Sequence, residues 1–233
     1  MPMTLAEKQE YYSLPDVVQR YEYLRFGGAG GQYVDQRECE ICVRLLGDAK
    51  LILDVPSGTG RLTKRLLDRP SNAAKVIAGD YSLPMLLFSK SAGRINHATR
   101  LNAFQLPFPD NSLDAVVTLR FLFHIESLEP FFKEVYRVLK PGGSLVGNTA
   151  TWSPKSIPGV SRFCGGDVYL HAPRQVVEVA QKIGYQIEVE EGAFLFTPLI
   201  YRYLPRLVIN ALFWLESIVP QRARVNMYWK LTK

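Results

Sequence analysis

The chain has 233 residues, of which 47% are hydrophobic, 12% aromatic and 21% charged, a balance that excludes a disordered chain and suffices for one substantial core. The net charge of +6 is uneven: from Leu199 to Lys233 six basic residues accompany one acid, Glu216, and the rest is close to neutral. A local patch of this kind suits an anionic lipid surface or an acidic substrate, whereas nucleic acid asks for a broader basic face.

Met1 to Glu10 is polar and no apolar leader core follows it. The longest apolar stretch, Leu207 to Val219, is interrupted by Asn210 and Glu216 and falls short of the roughly 20 residues of a spanning helix. These features predict a soluble, cytoplasmic protein. Residues 1–48 read as an N-terminal helical lid, with helices over Leu14–Leu24 and Gln36–Leu46. The glycine-rich run Gly27 to Gly31 between them is expected to be a mobile hinge. Cys39 and Cys42 form a C-x-x-C, but no second pair or neighbouring histidine accompanies them. With Cys164 the count is odd, so neither a disulfide framework nor a metal site is expected, and the pair reads as small apolar residues on a helix face.

From Ala49 onward strands and helices alternate. The expected order is strand Leu51–Val55, helix Arg61–Leu67, strand Lys75–Asp80, helix Met85–Ser91, strand Leu101–Gln105, strand Leu113–Leu119, helix Glu129–Leu139 and strand Ser144–Thr149. Such alternation implies an α/β domain of parallel strands joined by right-handed crossovers. Beyond Ala150 follow a helix at Pro173–Ile183 closed by Gly184, extended segments at Gln186–Glu190 and Phe194–Phe196, an apolar helix over Leu199–Ile218 and a last strand at Val225–Leu231.

Asp54 closes a buried strand, and Gly58 and Gly60 follow at once. In an open parallel sheet, ligands bind beyond the carboxyl ends of strands, where glycines admit a ligand to the backbone and a helix N-terminus offers free amides. Asp80 closes the second strand, where a carboxylate can accept hydrogen bonds from both hydroxyls of a ribose. A dinucleotide fingerprint would need Gly or Ala at position 63, which holds Thr, and no G-K-[S/T] of a P-loop is present.

The run Leu51-Ile52-Leu53-Asp54-Val55-Pro56-Ser57-Gly58-Thr59-Gly60 resembles the first motif of class I S-adenosylmethionine (SAM)-dependent methyltransferases, L-D-x-G-x-G-T-G. Gly79-Asp80-Tyr81-Ser82 with Met85-Leu86 looks like the second motif. Leu106 to Asp114 looks like the segment before the fourth strand, and Glu134 to Gly143 like the helix and turn before the fifth. The most similar subgroup is the small-molecule one that includes the quinone-biosynthesis methyltransferases. The resemblance implies a Rossmann-like seven-stranded, mostly parallel sheet with helices on both faces, an antiparallel last strand and an extra apolar helix before it. Residues 49–233 would form the SAM-binding domain, with acceptor-side cap elements over 150–220. It implies SAM as cofactor and S-adenosyl-L-homocysteine (SAH) as product. Asp54, Gly58, Thr59 and Gly60 would line the methionine end, Asp80 would hold the ribose, Tyr81 would pack on the adenine, Asn102 and Ala103 would edge it, and Leu119 would back the methionine portion. Pro56 departs from the usual first glycine and Asn102 from a frequent Asp.

His124, just past the fourth strand, is the candidate general base, with His171 and the tyrosines Tyr11, Tyr12 and Tyr21 as weaker candidates. No [D/N]-P-P-[Y/F/W] follows the fourth strand, as adenine and glutamine N-methyltransferases would have, and no carboxylate cluster suggests a magnesium-dependent catechol enzyme. The expected acceptor is a small apolar or aromatic molecule. The apolar segment 199–219 could cap its pocket, lie on a membrane surface, or serve as a homodimer interface or extra core. A SAM-holding protein without turnover stays an alternative from another class, and a nucleotide-binding reductase a more distant one.

Overall fold

The structure is a computed structural model that describes residues 4–69, 74–153 and 168–233. Its sheet is built from strands buried on both faces: β1 (Leu51–Asp54), β2 (Lys75–Asp80) and β4 (Leu113–Thr118). That is why these strands read as continuous apolar runs and not as alternating ones. With β3 (His97–Arg100), β5 (Leu139–Ala150), β6 (Gln186–Ala193) and β7 (Asn226–Thr232) they form a seven-stranded sheet in the order β3-β2-β1-β4-β5-β7-β6. The pairings β1–β2, β1–β4, β2–β3 and β4–β5 are parallel, and β7 runs antiparallel to both β5 and β6. The chain leaves β1 in opposite directions to reach β2 and β4, and this reversal opens a crevice at the carboxyl ends of the strands.

Helices cover both faces. On one lie α6 (Glu129–Val138) and α7 (Pro173–Ile183), through Phe131, Val135, Val138, Val176 and Ala180. On the other lie α3 (Gly28–Leu46) and α4 (Arg61–Leu67), through Val34, Ile41, Leu45, Leu62 and Leu66. The remaining helices are α1 (Leu5–Tyr11), α2 (Pro15–Phe26), α5 (Leu83–Ser91), α8 (Pro198–Tyr201) and α9 (Arg206–Ile218).

Several expectations are corrected. Gly28 to Gly31 form the first turn of α3 and not a free hinge. The cause is tertiary: a Cβ on Gly30 would collide with the Tyr201 carbonyl, and one on Gly31 with the Phe26 backbone. The glycines therefore serve close approach, and α3 belongs to the sheet's cover, leaving α1 and α2 as the elements over the crevice. The third strand is His97–Arg100, because an exposed edge strand carries no apolar run; Leu101 lies beyond it in the core. Phe194 is not extended: its φ of 65° ends β6. The single helix expected over Leu199–Ile218 is two, since Pro205, which lacks an N–H, stands at the N-cap of α9. Helix α1 was not anticipated, although Thr4 and Glu7 close a capping box around its first turn. Cys39 and Cys42 are buried in the α3 core layer as free thiols, and burial raises both well above the usual thiol range. Cys164 lies outside the described residues.

Replacing Gly30 by Ala forces α3 off Tyr201. Overpacking of this kind costs about 1–3 kcal/mol. Thermal or denaturant unfolding of Gly30→Ala should show that loss.

Candidate active site

The loop from β1 to α4 is shaped residue by residue. The Val55–Pro56 bond is cis, and Gly58 and Gly60 take positive φ values of 53° and 76°. The Ser57 N–H donates to Gly79 O at 2.8 Å and the Gly60 N–H to Ser57 O at 2.9 Å. The two glycines do different work. A Cβ on Gly60 would strike the Ser89 hydroxyl of α5, so Gly60 permits close packing at the root of α4. A Cβ on Gly58 would meet nothing within 4 Å, so Gly58 borders open space. Ser57 Oγ is buried there without a partner among the described residues.

Two carboxylates end the flanking strands. Asp54 Oδ2 accepts the Thr63 hydroxyl at 2.5 Å. Thr63, whose presence argued against a dinucleotide, thus holds the Asp54 side chain from the first turn of α4. Asp80 Oδ2 accepts the Gly58 N–H at 2.7 Å, and Oδ1 accepts the Ser82 N–H at 2.8 Å. Burial pushes Asp54 up to about 7 and Asp80 up to about 6.

One cleft gathers most of the expected residues. Asp54, Pro56, Gly58, Thr59, Asp80, Tyr81, Ala103, Leu119 and His124 all line it. Gly60 lies behind the lining at the helix root. Asn102 is exposed and outside the lining, its Oδ1 accepting the Phe104 N–H at 3.0 Å. Tyr81 faces the cleft mouth with Arg100 5.4 Å from its ring centroid.

Beyond Leu119 the cleft continues between the carboxyl end of β4 and the N-terminal helices. Leu5, Lys8, Gln9, Tyr12 and Tyr21 wall it on one side, and Phe104, Arg120, Phe121 and His124 on the other. Tyr12 meets the His124 ring edge-on at 5.7 Å, and Lys8 Nζ donates to His124 O at 3.2 Å. Arg120 takes a φ of 63°, held by its N–H donating to Asn148 Oδ1 at 2.8 Å. Its guanidinium lies 3.4 Å from the wholly buried Glu38, whose carboxyl burial raises and Arg120 pulls back down. Phe26 is held by two guanidiniums, Arg61 at 3.5 Å and Arg120 at 5.1 Å from its centroid, and Arg61 also pairs with Asp35. His171 is buried away from the cleft. Its Nε2 lies 3.1 Å from both Leu122 O and Ile125 O, and burial lowers its pKa, so it fastens the 3₁₀ turn Leu122–His124 as a neutral donor. Tyr11 does not line the cleft, while Tyr12 and Tyr21 do.

Lys8, Gln9, Arg61 and Arg120 were not singled out from the sequence. The first two sit on the unanticipated α1. Arg120 had one signal, its place directly after the fourth strand. The donor set fits SAM: an ionisable carboxylate with spare lone pairs for a ribose, an unpartnered hydroxyl and an open glycine beside it, and apolar walls from Met85, Leu101 and Ala103 for an adenine.

Residues 53–147 match the methyltransferase-domain family. A ubiquinone/menaquinone biosynthesis C-methyltransferase of Desulfotalea psychrophila is 36% identical over 142 residues, 59% of this chain and 56% of that one. A 24-methylenesterol C-methyltransferase of Arabidopsis thaliana is 29% identical over 187 residues, 73% of this chain and 50% of that one. The chain thus spans about half the length of these relatives. The crystal structure of magnesium protoporphyrin IX methyltransferase from Synechocystis with bound SAH superposes with a TM-score of 0.67 at 14% identity, covering 97% of each chain. Residues 53–147 are thus a methyltransferase domain, and the fold around them is that of solved SAM-dependent methyltransferases.

The carboxylate of Asp80 gives the site a pH dependence. Ionised, it can accept both hydroxyls of a ribose. Protonated, it offers fewer acceptors. SAH affinity measured by calorimetry should fall as the pH drops through about 6, and Asp80→Asn should flatten that profile. For folding the sign is opposite. A raised native pKa favours the protonated native state, so this stability is present below the ordinary value of 3.8 and is lost as the pH rises to about 7 for Asp54.

Proposed function

We propose that this chain transfers a methyl group from SAM to a small, largely apolar, ring-bearing acceptor. One observation carries the reading: the cleft has a polar end at Asp80 and Gly58 and, beyond Leu119, an aromatic end at Tyr12, Tyr21, Phe104 and Phe121. A protein that only holds SAM would not need the second half. The relatives named above, for quinone biosynthesis, a sterol and a porphyrin, support an acceptor of this class.

SAM, when bound, supplies a methyl group already activated on a sulfonium. The work left to the chain is to hold the acceptor in line and keep water out, and proximity of this kind lowers a barrier by about 7–11 kcal/mol. Asp80 would fix the ribose, with the Gly58 amide and the Ser57 hydroxyl beside it. Tyr12, Tyr21 and Phe121 would clamp the acceptor ring. Arg120 would face a polar substituent of that ring, held in place by Asn148 and Glu38. His124 is the candidate base for an acceptor whose nucleophile carries a proton, with its turn braced by His171.

The test is transfer of a labelled methyl group from SAM to a panel of hydrophobic phenols and quinols. Asp80→Ala should weaken SAH binding by about 1.5–3 kcal/mol, the loss of a charged hydrogen-bond partner. His124→Gln should lower kcat by about 10²–10⁴-fold with SAH affinity unchanged; an unchanged kcat would make His124 a wall of the cleft only. SAH binding with no transfer to any acceptor would favour the binding-protein reading.

A further inference from the structure

Helix α9 has the reverse of a core helix's distribution. Its inward edge carries Ile209, 2% exposed, and Glu216, 2% exposed. Glu216 accepts from Arg37 Nη2 at 2.5 Å and from Arg224 Nη1 at 3.5 Å, so ion pairs fasten the helix to the body. At 3.6 residues per turn the opposite arc holds Leu207, Val208, Trp214, Leu215 and Ile218. Leu207 is 83% exposed, Trp214 68% and Ile218 64%. None of these residues lines the cleft, so α9 does not cap it. Tyr203, Tyr23 and Leu24 extend the exposed surface, joined by Arg202, which donates to Leu24 O and lies 5.5 Å from both tyrosine centroids.

The charge around this face identifies its occupant. Arg206 begins α9, and Arg222, 81% exposed although paired with Glu190, follows its end. The only acid from Leu199 to Lys233 is Glu216, which points inward. An apolar stripe with cations at both ends and tyrosines and a tryptophan at its border matches an anionic bilayer surface. A twofold pairing of α9 with a second copy would bring the two arginine ends together with no acid from this segment between them. No helix among the described residues is long and apolar enough to cross a membrane, so α9 would lie in the interface plane. A groove bounded by Leu24, Arg25, Pro198 and Leu199 runs from this side to Arg120, which also lines the cleft.

We propose that the outward face of α9 docks the protein on an anionic lipid surface. Docking goes beyond methyl transfer and is read without turnover. The full chain is sedimented with vesicles of phosphatidylcholine alone and of phosphatidylcholine with phosphatidylglycerol. The wild type should partition onto the anionic vesicles. Leu207→Glu with Trp214→Glu should reduce partitioning by at least about tenfold, and Arg206→Glu with Arg222→Glu should abolish the preference for the anionic lipid. Thermal shifts with SAH should stay unchanged in both variants, and Asp80→Ala should bind vesicles like the wild type, which separates failure of docking from failure of the cofactor site. The proposal is overturned if the wild type stays in the supernatant with both vesicles or if the glutamate variant partitions equally well. It is also overturned if sedimentation velocity shows a wild-type dimer that the glutamate variant dissociates, with no lipid binding; a second copy would then own the face.

Discussion

The Asp80 carboxylate is the point on which the site's assembly turns. One oxygen takes the Gly58 amide and so holds the glycine loop against the end of β2; the other takes the Ser82 amide at the start of α5. Ser82 in turn caps α5, its Oγ accepting the Met85 N–H at 3.3 Å, and donates to Tyr12 O at 3.1 Å. Tyr12 stands against His124. A continuous path of contacts therefore runs from the glycine-loop end of the cleft to its aromatic end. Burial explains why so few residues suffice: a carboxylate taken out of water costs several kcal/mol unless its lone pairs are met, so its donors are held firmly in place.

The aromatic end of the cleft is organised by a second buried charge. Glu38 lies in the middle of α3 with its side chain shut off from solvent, and among the described residues its ion-pair partners are Arg120 and, at 4.0 Å, Arg61. The two guanidiniums hold Phe26, the last residue of α2, between them. The arrangement ties three parts of the chain that are distant in sequence: the end of α2, the body of α3 and the residue after β4. It also accounts for the left-handed φ of Arg120. A non-glycine residue in that region costs of order 1–3 kcal/mol and persists only where its surroundings over-determine it. Here the Asn148 side chain fixes the backbone amide and Glu38 the guanidinium.

What could be read from the sequence was what is encoded locally. The glycine turn, the two strand-ending acids and the buried strands each declare themselves within a few residues, and the structure brings Asp54, Gly58, Thr59, Asp80 and Leu119 to one region. The residues that escaped depend on distant partners. Gly28 to Gly31 look like a hinge until Tyr201 is seen lying across them. Strand β3 escaped because an edge strand has no need of apolar side chains. Thr63 was informative only as an absence of glycine, and its bond to Asp54 appears only once α4 is folded back on β1. Lys8 and Gln9 stand in the cleft wall on a helix whose local sign in the sequence is the capping box of Thr4 and Glu7 alone.

The same logic bears on the outer surface. Arg202 binds the carbonyl of Leu24 in α2, the helix that also supplies Tyr21 to the cleft wall. Gly30 sits against the backbone of Tyr201, the last residue of α8, so α3 and α8 pack backbone against backbone. Arg202 and α2 therefore lie between the outer apolar surface and the aromatic half of the cleft, while Asp80 is fastened at the end of β2 by the Gly58 and Ser82 amides. The polar end of the cleft is therefore built on strand termini, and its aromatic end is walled in part by α2, which Arg202 ties to the outer apolar surface.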